Sequence, residues 1–80
     1  MKLPRDISAT DLIKYLKKYG YEVSRQTGSH IRLSSVEFGQ HHITIPNHNP
    51  IKVGTLSAIF SNIAEHIGIS KDELIRQLFQ

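Results

Sequence analysis

The chain contains no cysteine, which excludes a disulfide staple and a thiolate zinc site and leaves ordinary apolar packing to hold the core. That fits a reducing cytoplasm, where the protein is expected to work. Long apolar runs are also missing. Nothing approaches the roughly 20 residues of a membrane-spanning helix, and Met1-Lys2-Leu3-Pro4-Arg5-Asp6 lacks the apolar stretch of a signal peptide. The expectation is a soluble protein with no membrane partner. There is no internal repeat, low-complexity tract or linker, so residues 1–80 read as one domain. A chain this short buries only about 60–65% of the surface its unfolded form exposes, and modest stability follows. Charge of one sign is scarce as well. Ten Lys and Arg against seven Asp and Glu leave a net +3, a mild bias toward a polyanionic partner such as nucleic acid.

What is present begins with helix grammar. In Ile7-Ser8-Ala9-Thr10-Asp11-Leu12, Ser8 can cap, Asp11 sits at the third helical position, and Ile7 can staple onto Leu12. Ala9, Leu12, Ile13 and Leu16 make one apolar stripe, and Gly20 supplies the stop. Lys14, Lys17 and Lys18 fall away from that stripe and read as a solvated face. Further on, Ile51-Lys52-Val53-Gly54-Thr55 leads into a second helix with Leu56, Ile59, Phe60, Ile63 and Ile67 apolar and Gly68 as its stop. A third helix repeats the first entry: Ile69 staples to Leu74, Ser70 caps, and Glu73 closes a capping box. Its face of Leu74, Ile75, Leu78 and Phe79 must dock somewhere. The two helices around Gly68-Ile69-Ser70 are similar to a helix-turn-helix, but the charges of Lys71, Asp72, Glu73 and Arg76 nearly cancel, so the pair reads as a packing unit.

Between the first two helices the pattern changes to alternation. Tyr21 to Arg25 is a strand with Tyr21 and Val23 on one face. Thr27-Gly28-Ser29-His30-Ile31-Arg32-Leu33 is a turn running into a second strand, with Ile31 and Leu33 facing one way and His30 and Arg32 the other. Directly opposed residues share a face. Keeping Val23 with Ile31 therefore predicts a three-residue loop, Gln26-Thr27-Gly28, with Ser24 opposite His30 and Glu22 opposite Arg32. The exposed Glu22–Arg32 pair would add only about 0.2–1 kcal/mol. Ser34 to Gln40 reads as a polar connection, and His41-His42-Ile43-Thr44-Ile45 as a third strand ending at Pro46. With Ile43 and Ile45 inward, His42 and Thr44 join His30 and Arg32 on the open face. Helix, three strands, helix, helix is an α+β sandwich with its helices on one face of a three-stranded antiparallel sheet.

Five histidines raise the question of a metal, and the geometry argues against one. His41 and His42 are strand neighbours and point to opposite faces, while His48 and His66 lie in unrelated elements. No metal or cofactor is expected. His66, beside Glu65, reads as a surface residue, and His48 fits a turn or capping role as well as a functional one. His30 has three readings: an incidental exposed histidine, an RNA-stacking residue, or a general acid/base. Spacing alone favours the first.

The surrounding residues resemble the HicA toxin family, the small ribonuclease partners of type II toxin–antitoxin pairs. The matching stretches are Asp11-Leu12-Ile13-Lys14-Tyr15-Leu16 ending in Gly20-Tyr21, Arg25-Gln26-Thr27-Gly28-Ser29-His30, Ile45-Pro46-Asn47-His48, and Lys52-Val53-Gly54-Thr55-Leu56-Ser57-Ala58-Ile59. They run in order over roughly residues 9 to 68. The resemblance implies an αβββα fold like that of double-stranded RNA-binding domains and cleavage of mRNA independently of the ribosome. It also implies an essential histidine that maps onto His30, and a HicB-type antitoxin that covers the active face. Two departures stand out. Glu37 occupies the connection where basic residues are often seen, and an extra helix over 70–79 follows the HicA-like core of 8–68, a candidate surface for a homodimer or for antitoxin contact.

Residues and resemblance together lead to a metal-independent endoribonuclease in which the RNA's own 2′-hydroxyl attacks the neighbouring phosphate. His30 would remove that proton or protonate the departing 5′ oxygen, since imidazole titrates near neutral pH. Arg32 and Lys52 would bind phosphate, with the backbone amides of Gly54 and Thr55 at a helix N-terminus. Gly28, Ser29 and His42 complete the expected RNA-binding set. His48 is the candidate second catalytic group, ahead of His42 because it lies in a family-matching segment. The alternative is a non-catalytic RNA-binding or regulatory module on the same fold, using Lys52 and the first two helices without His30. A third reading is an interaction protein whose basic face fits an acidic antitoxin.

Overall fold

Helix α1 (Ala9–Leu16) begins as its sequence directs: the Asp11 amide donates to Ser8 Oγ at 3.1 Å and the Ser8 amide donates to Asp11 Oδ2 at 3.4 Å. Its last turn tightens into a 3₁₀ segment, Lys17–Tyr19, and Gly20 ends it with φ of 81°, in the left-handed region where a side chain is disfavoured. This computed structural model describes residues 3–79. Met1 and Lys2, the start of the stretch read as lacking a signal peptide, and Gln80 lie outside the described residues.

Three strands follow, β1 (Glu22–Thr27), β2 (His30–Ser35) and β3 (His41–Pro46), in one antiparallel sheet of order β1-β2-β3. Helices α2 (Val53–Ile67) and α3 (Lys71–Phe79) complete the α+β sandwich. Helix α1 packs against β1, α2 against β3, and α3 against α2 and α1. The core between them holds Leu12, Leu16, Tyr21, Leu33, Ile45, Leu56, Phe60, Ile63 and Leu74. Leu74, Ile75 and Leu78 are buried in the same cluster, so α3 belongs to the core. Among the described residues no helix is long and apolar enough to cross a membrane.

The first hairpin departs from the expected register. Thr27 pairs with His30 across a two-residue loop, Gly28-Ser29, in place of the three-residue loop Gln26-Thr27-Gly28. Gly28 has φ of 50° while Ser29 is not in the positive region, the pattern of a type II′ turn, whose twist suits a hairpin. A bulge between Val23 and Arg25 absorbs the change. As a result Val23 pairs with Leu33, Arg25 with Arg32, and Glu22 with Ser34. The Glu22–Arg32 pairing is therefore replaced, and Ser24 does not oppose His30.

Two smaller corrections concern the ends of elements. Strand β2 continues through Ser35, which is buried, donates from Oγ to the Tyr19 carbonyl at 2.8 Å and accepts from the Glu37 amide at 3.3 Å. The polar connection thus shrinks to residues 36–40, and its Val36 and Phe38 are exposed. At α3, the Glu73 amide donates to Ser70 Oγ at 3.1 Å, as a cap should. The Glu73 carboxylate turns instead to Arg76 and to Gln77, 3.0 Å away, so the box is not closed. Charge pairing one turn on competes for the side chain.

Candidate functional site

The helices cover one face of the sheet, and the register arranges the other as three cross-strand rows: Thr27, His30 and Pro46; Arg25, Arg32 and Thr44; Glu22, Ser34 and His42. On the inner face β2 and β3 carry Ile31, Leu33, Ile43 and Ile45, all buried, whereas Val23 of the edge strand β1, paired with Leu33, is exposed. Because alternate residues point to opposite faces, burying these isoleucines and leucine forces His30, Arg32, His42 and Thr44 outward. All four are exposed.

His30 lies at the end of β2 next to the Gly28-Ser29 turn. Its Nδ1 is 3.3 Å from Ser29 Oγ, and among the described residues Nε2 has no partner. The turn itself is anchored, since the Asn47 amide donates to the Ser29 carbonyl at 2.7 Å. Arg25, Thr27, His30, Arg32 and Thr44 line a shallow hollow of about 190 Å³. It brings the imidazole of His30 together with two guanidinium groups. Sequence reasoning misses Arg25, because the expected register gives it no partner on this face.

The remaining candidates are dispersed. His42 opposes Ser34, four residues along the strands from the His30–Pro46 row, which is about 13 Å at the usual rise. Its tautomer follows from its partners. Ser34 Oγ donates to Ser24 Oγ at 2.8 Å, and Ser24 Oγ donates to the Arg32 carbonyl at 3.3 Å. His42 Nδ1–H therefore donates to Ser34 Oγ at 2.5 Å, leaving Nε2 to accept from the Gln40 amide at 3.3 Å.

His48 is exposed in the loop after β3, two residues beyond Pro46, so the chain holds it at the His30 end of the sheet. That loop is fixed by the Ala9 amide, which donates to the His48 carbonyl at 3.1 Å, and by the Ile51 amide, which donates to the Ile7 carbonyl at 2.8 Å. Lys52 is the N-cap residue of α2 and makes no side-chain cap bond. Together with Gly54 and Thr55 it belongs to the helical layer, and none of the three lines the hollow around His30.

His66 is not the simple surface residue that its sequence position implies. Its ring stacks on that of His41, with centroids 4.1 Å apart and planes 9° from parallel, and its Nε2 donates to the Gly39 carbonyl at 3.2 Å. His41, half-buried at the edge of the sheet, accepts at Nδ1 from the Tyr21 hydroxyl at 2.6 Å and donates from Nε2 to Asn62 Oδ1 at 3.2 Å. Burial pushes the His41 pKa down, and the neighbouring His66 pushes it further; the Asn62 carbonyl opposes both. Among the described residues no group of three or more His, Cys, Asp or Glu is arranged to hold a metal ion.

The family described as HicA toxin of bacterial toxin-antitoxin matches residues 9–69, 61 of the 80 positions, from the first residue of α1 to the residue before Ser70. No curated protein and no solved structure matches the chain. A match of that extent, running through every element except α3, shows that this chain belongs to the HicA toxin family and is the toxin of a bacterial toxin–antitoxin system.

Proposed function

We propose that this toxin is an endoribonuclease that cleaves mRNA without a metal ion, with His30 as its general acid/base. The observation that carries this is the exposed imidazole of His30 in one hollow with Arg25 and Arg32. In the reaction the 2′-hydroxyl loses its proton, its oxygen bonds to the adjacent phosphorus, and the bond from phosphorus to the 5′ oxygen breaks. That 5′ oxygen leaves with a proton. The products are a 2′,3′-cyclic phosphate and a 5′-hydroxyl. An imidazole that is neutral near pH 7 can take the first proton, and in its charged form can supply the second. Fixed guanidinium charge beside the phosphate offsets the negative charge that builds on its oxygens. Such proton transfer typically contributes about 10²–10⁴-fold.

His48 is the candidate for the second proton-transfer group, being tethered at the same end of the sheet. Lys52, Gly54 and Thr55 would engage the RNA chain beyond the scissile phosphate, and Gly28 and Ser29 would meet it at the turn. A HicB-type antitoxin would silence the toxin by covering the open face.

The test is cleavage of a synthetic mRNA by the purified chain in EDTA, with His30→Ala as the comparison. The expected result is discrete fragments from the wild type and a fall of about 10²–10⁴-fold for the variant. Because His30 is exposed, its loss should change stability by no more than about 0.5 kcal/mol, which denaturation of both proteins verifies. RNA retention with no cleavage by either protein would assign the chain to the RNA-binding module instead.

A further inference from the structure

Arg25 and Arg32 are directly opposed across β1 and β2. Directly opposed positions bring Cβ atoms to about 4.5–5.5 Å, and like charges there destabilise a sheet. Among the described residues neither guanidinium has a hydrogen-bond or ion-pair partner; the Arg76–Glu73 pair lies elsewhere, on α3. The carboxylate of the same face, Glu22, stands in the next row opposite Ser34.

The strand is also built to produce this opposition. Tyr21, Val23, Arg25 and Thr27 are all odd-numbered and would share one face of a regular strand. The bulge at Ser24 allows Tyr21 to be buried and Val23 to pair with the inward Leu33, while Arg25 and Thr27 pair with the outward Arg32 and His30. Bulges of this kind re-aim side chains and are frequent beside active sites.

We infer that Arg25 and Arg32 form a two-armed clamp for one phosphodiester group of single-stranded RNA, with Thr27 and Thr44 as its walls and His30 at its edge. The hollow of about 190 Å³ is open to solvent on the sheet face, where a phosphodiester group can reach both arginines. Each guanidinium is a planar fork matched to two phosphate oxygens. Two forks facing one anion turn the unfavourable opposition of like charges into a favourable arrangement. The hollow lies on the open sheet face, which an extended, unpaired chain can cross with one phosphodiester between the two arginines. The naming of RNA as ligand rests on the ribonuclease reading of His30, whereas the anion clamp rests on the sheet register.

The experiment measures binding of a single-stranded 2′-deoxy oligonucleotide, which carries phosphodiesters and lacks the attacking hydroxyl, by fluorescence anisotropy over a range of salt. Arg25→Gln and Arg32→Gln should each weaken binding about tenfold, the worth of one charge-assisted hydrogen bond. The slope of log affinity against log salt should flatten by about 0.7 in the double variant, the worth of one phosphate contact, with each single variant falling short of that. The double variant should lose less than the product of the singles, because both arms hold one group. Arg25→Lys should fall between wild type and Arg25→Gln, since charge remains and the fork does not. Neither glutamine variant should be less stable than wild type, since each removes one of two opposed like charges.

Unchanged affinity and salt slope in Arg25→Gln would overturn the clamp. So would an equal loss in Lys14→Gln, which removes the same charge from α1. If the Arg25 and Arg32 variants bind the oligonucleotide normally and fail only to bind a HicB-type antitoxin, the pair serves an acidic protein and the inference is wrong. Weakened oligonucleotide binding in the arginine variants of a protein that cleaves no RNA would support the clamp and sink the ribonuclease reading. Cleavage with normal rates in both arginine variants would do the reverse.

Discussion

The rings of His41 in β3 and His66 in α2 stack face to face at 4.1 Å, joining the free edge of the sheet to the helix that packs on it. The Tyr21 hydroxyl and the Asn62 carbonyl complete the attachment from β1's approach and from α2. Burial first, and then the His66 charge, depress the His41 pKa. The unfolded chain, with His near 6.5, therefore binds the proton more readily than the folded one. The contribution of the neutral His41 ring to stability is complete above pH 6.5 and is lost as pH falls through its lower folded value. Denaturant midpoints should drop between pH 7.5 and pH 5. His66→Gln should shallow that drop without removing it, because burial is the larger cause.

Separation along the sheet distinguishes the two candidate partners of His30. His42 lies about 13 Å away by strand rise, with both ring nitrogens engaged by Ser34 and Gln40. His48 is two residues past Pro46, which pairs with His30. Single-turnover cleavage of saturating RNA should therefore slow more with His48→Ala than with His42→Ala. A larger effect at His42 would transfer the second proton-transfer role to it.

Chemistry that uses the substrate's own hydroxyl makes a prediction independent of any variant. A 2′-O-methyl group at the cleaved position should abolish cutting there while leaving binding intact. Product analysis should find a 2′,3′-cyclic phosphate on the upstream fragment. A 3′-hydroxyl end would show that water, and not the ribose, attacks.

Gly20 combines φ of 81° with the Glu37 side chain lying where a Cβ would project. Gly20→Ala should cost about 1–2 kcal/mol for the left-handed conformation alone, read as a lower denaturant midpoint. Glu37 can swing aside, so Gly20→Ala with Glu37→Ala should recover only a minor part of the loss.

Leu74 of α3 is fully buried against the rest of the core. Leu74→Ala should cost about 2–5 kcal/mol, a large share of the stability of a domain of this size, which is about 4–12 kcal/mol at the usual value per residue. Urea denaturation checks it. A cost near zero would make α3 an appendage, against its burial in the common core.

Local chemistry is legible in the sequence by itself. Helix starts at Ser8 and Ser70, the stops at Gly20 and Gly68, and the alternation of Ile31, Leu33, Ile43 and Ile45 with His30, Arg32, His42 and Thr44 all depend on residues within a turn or two of one another. Those short-range rules determined the element order, the buried face and the exposure of His30. Pairings between distant segments were decided only by the tertiary structure. A strand that slips by one residue presents its other face, and whether a loop of two or three residues closes the hairpin depends on backbone angles at Gly28 and on a bulge four residues away. That choice sets Arg25 against Arg32 and removes Glu22 from its expected partner. The stacking of His66 on His41 has the same origin, because no local rule links a helix residue to a strand residue 25 positions earlier.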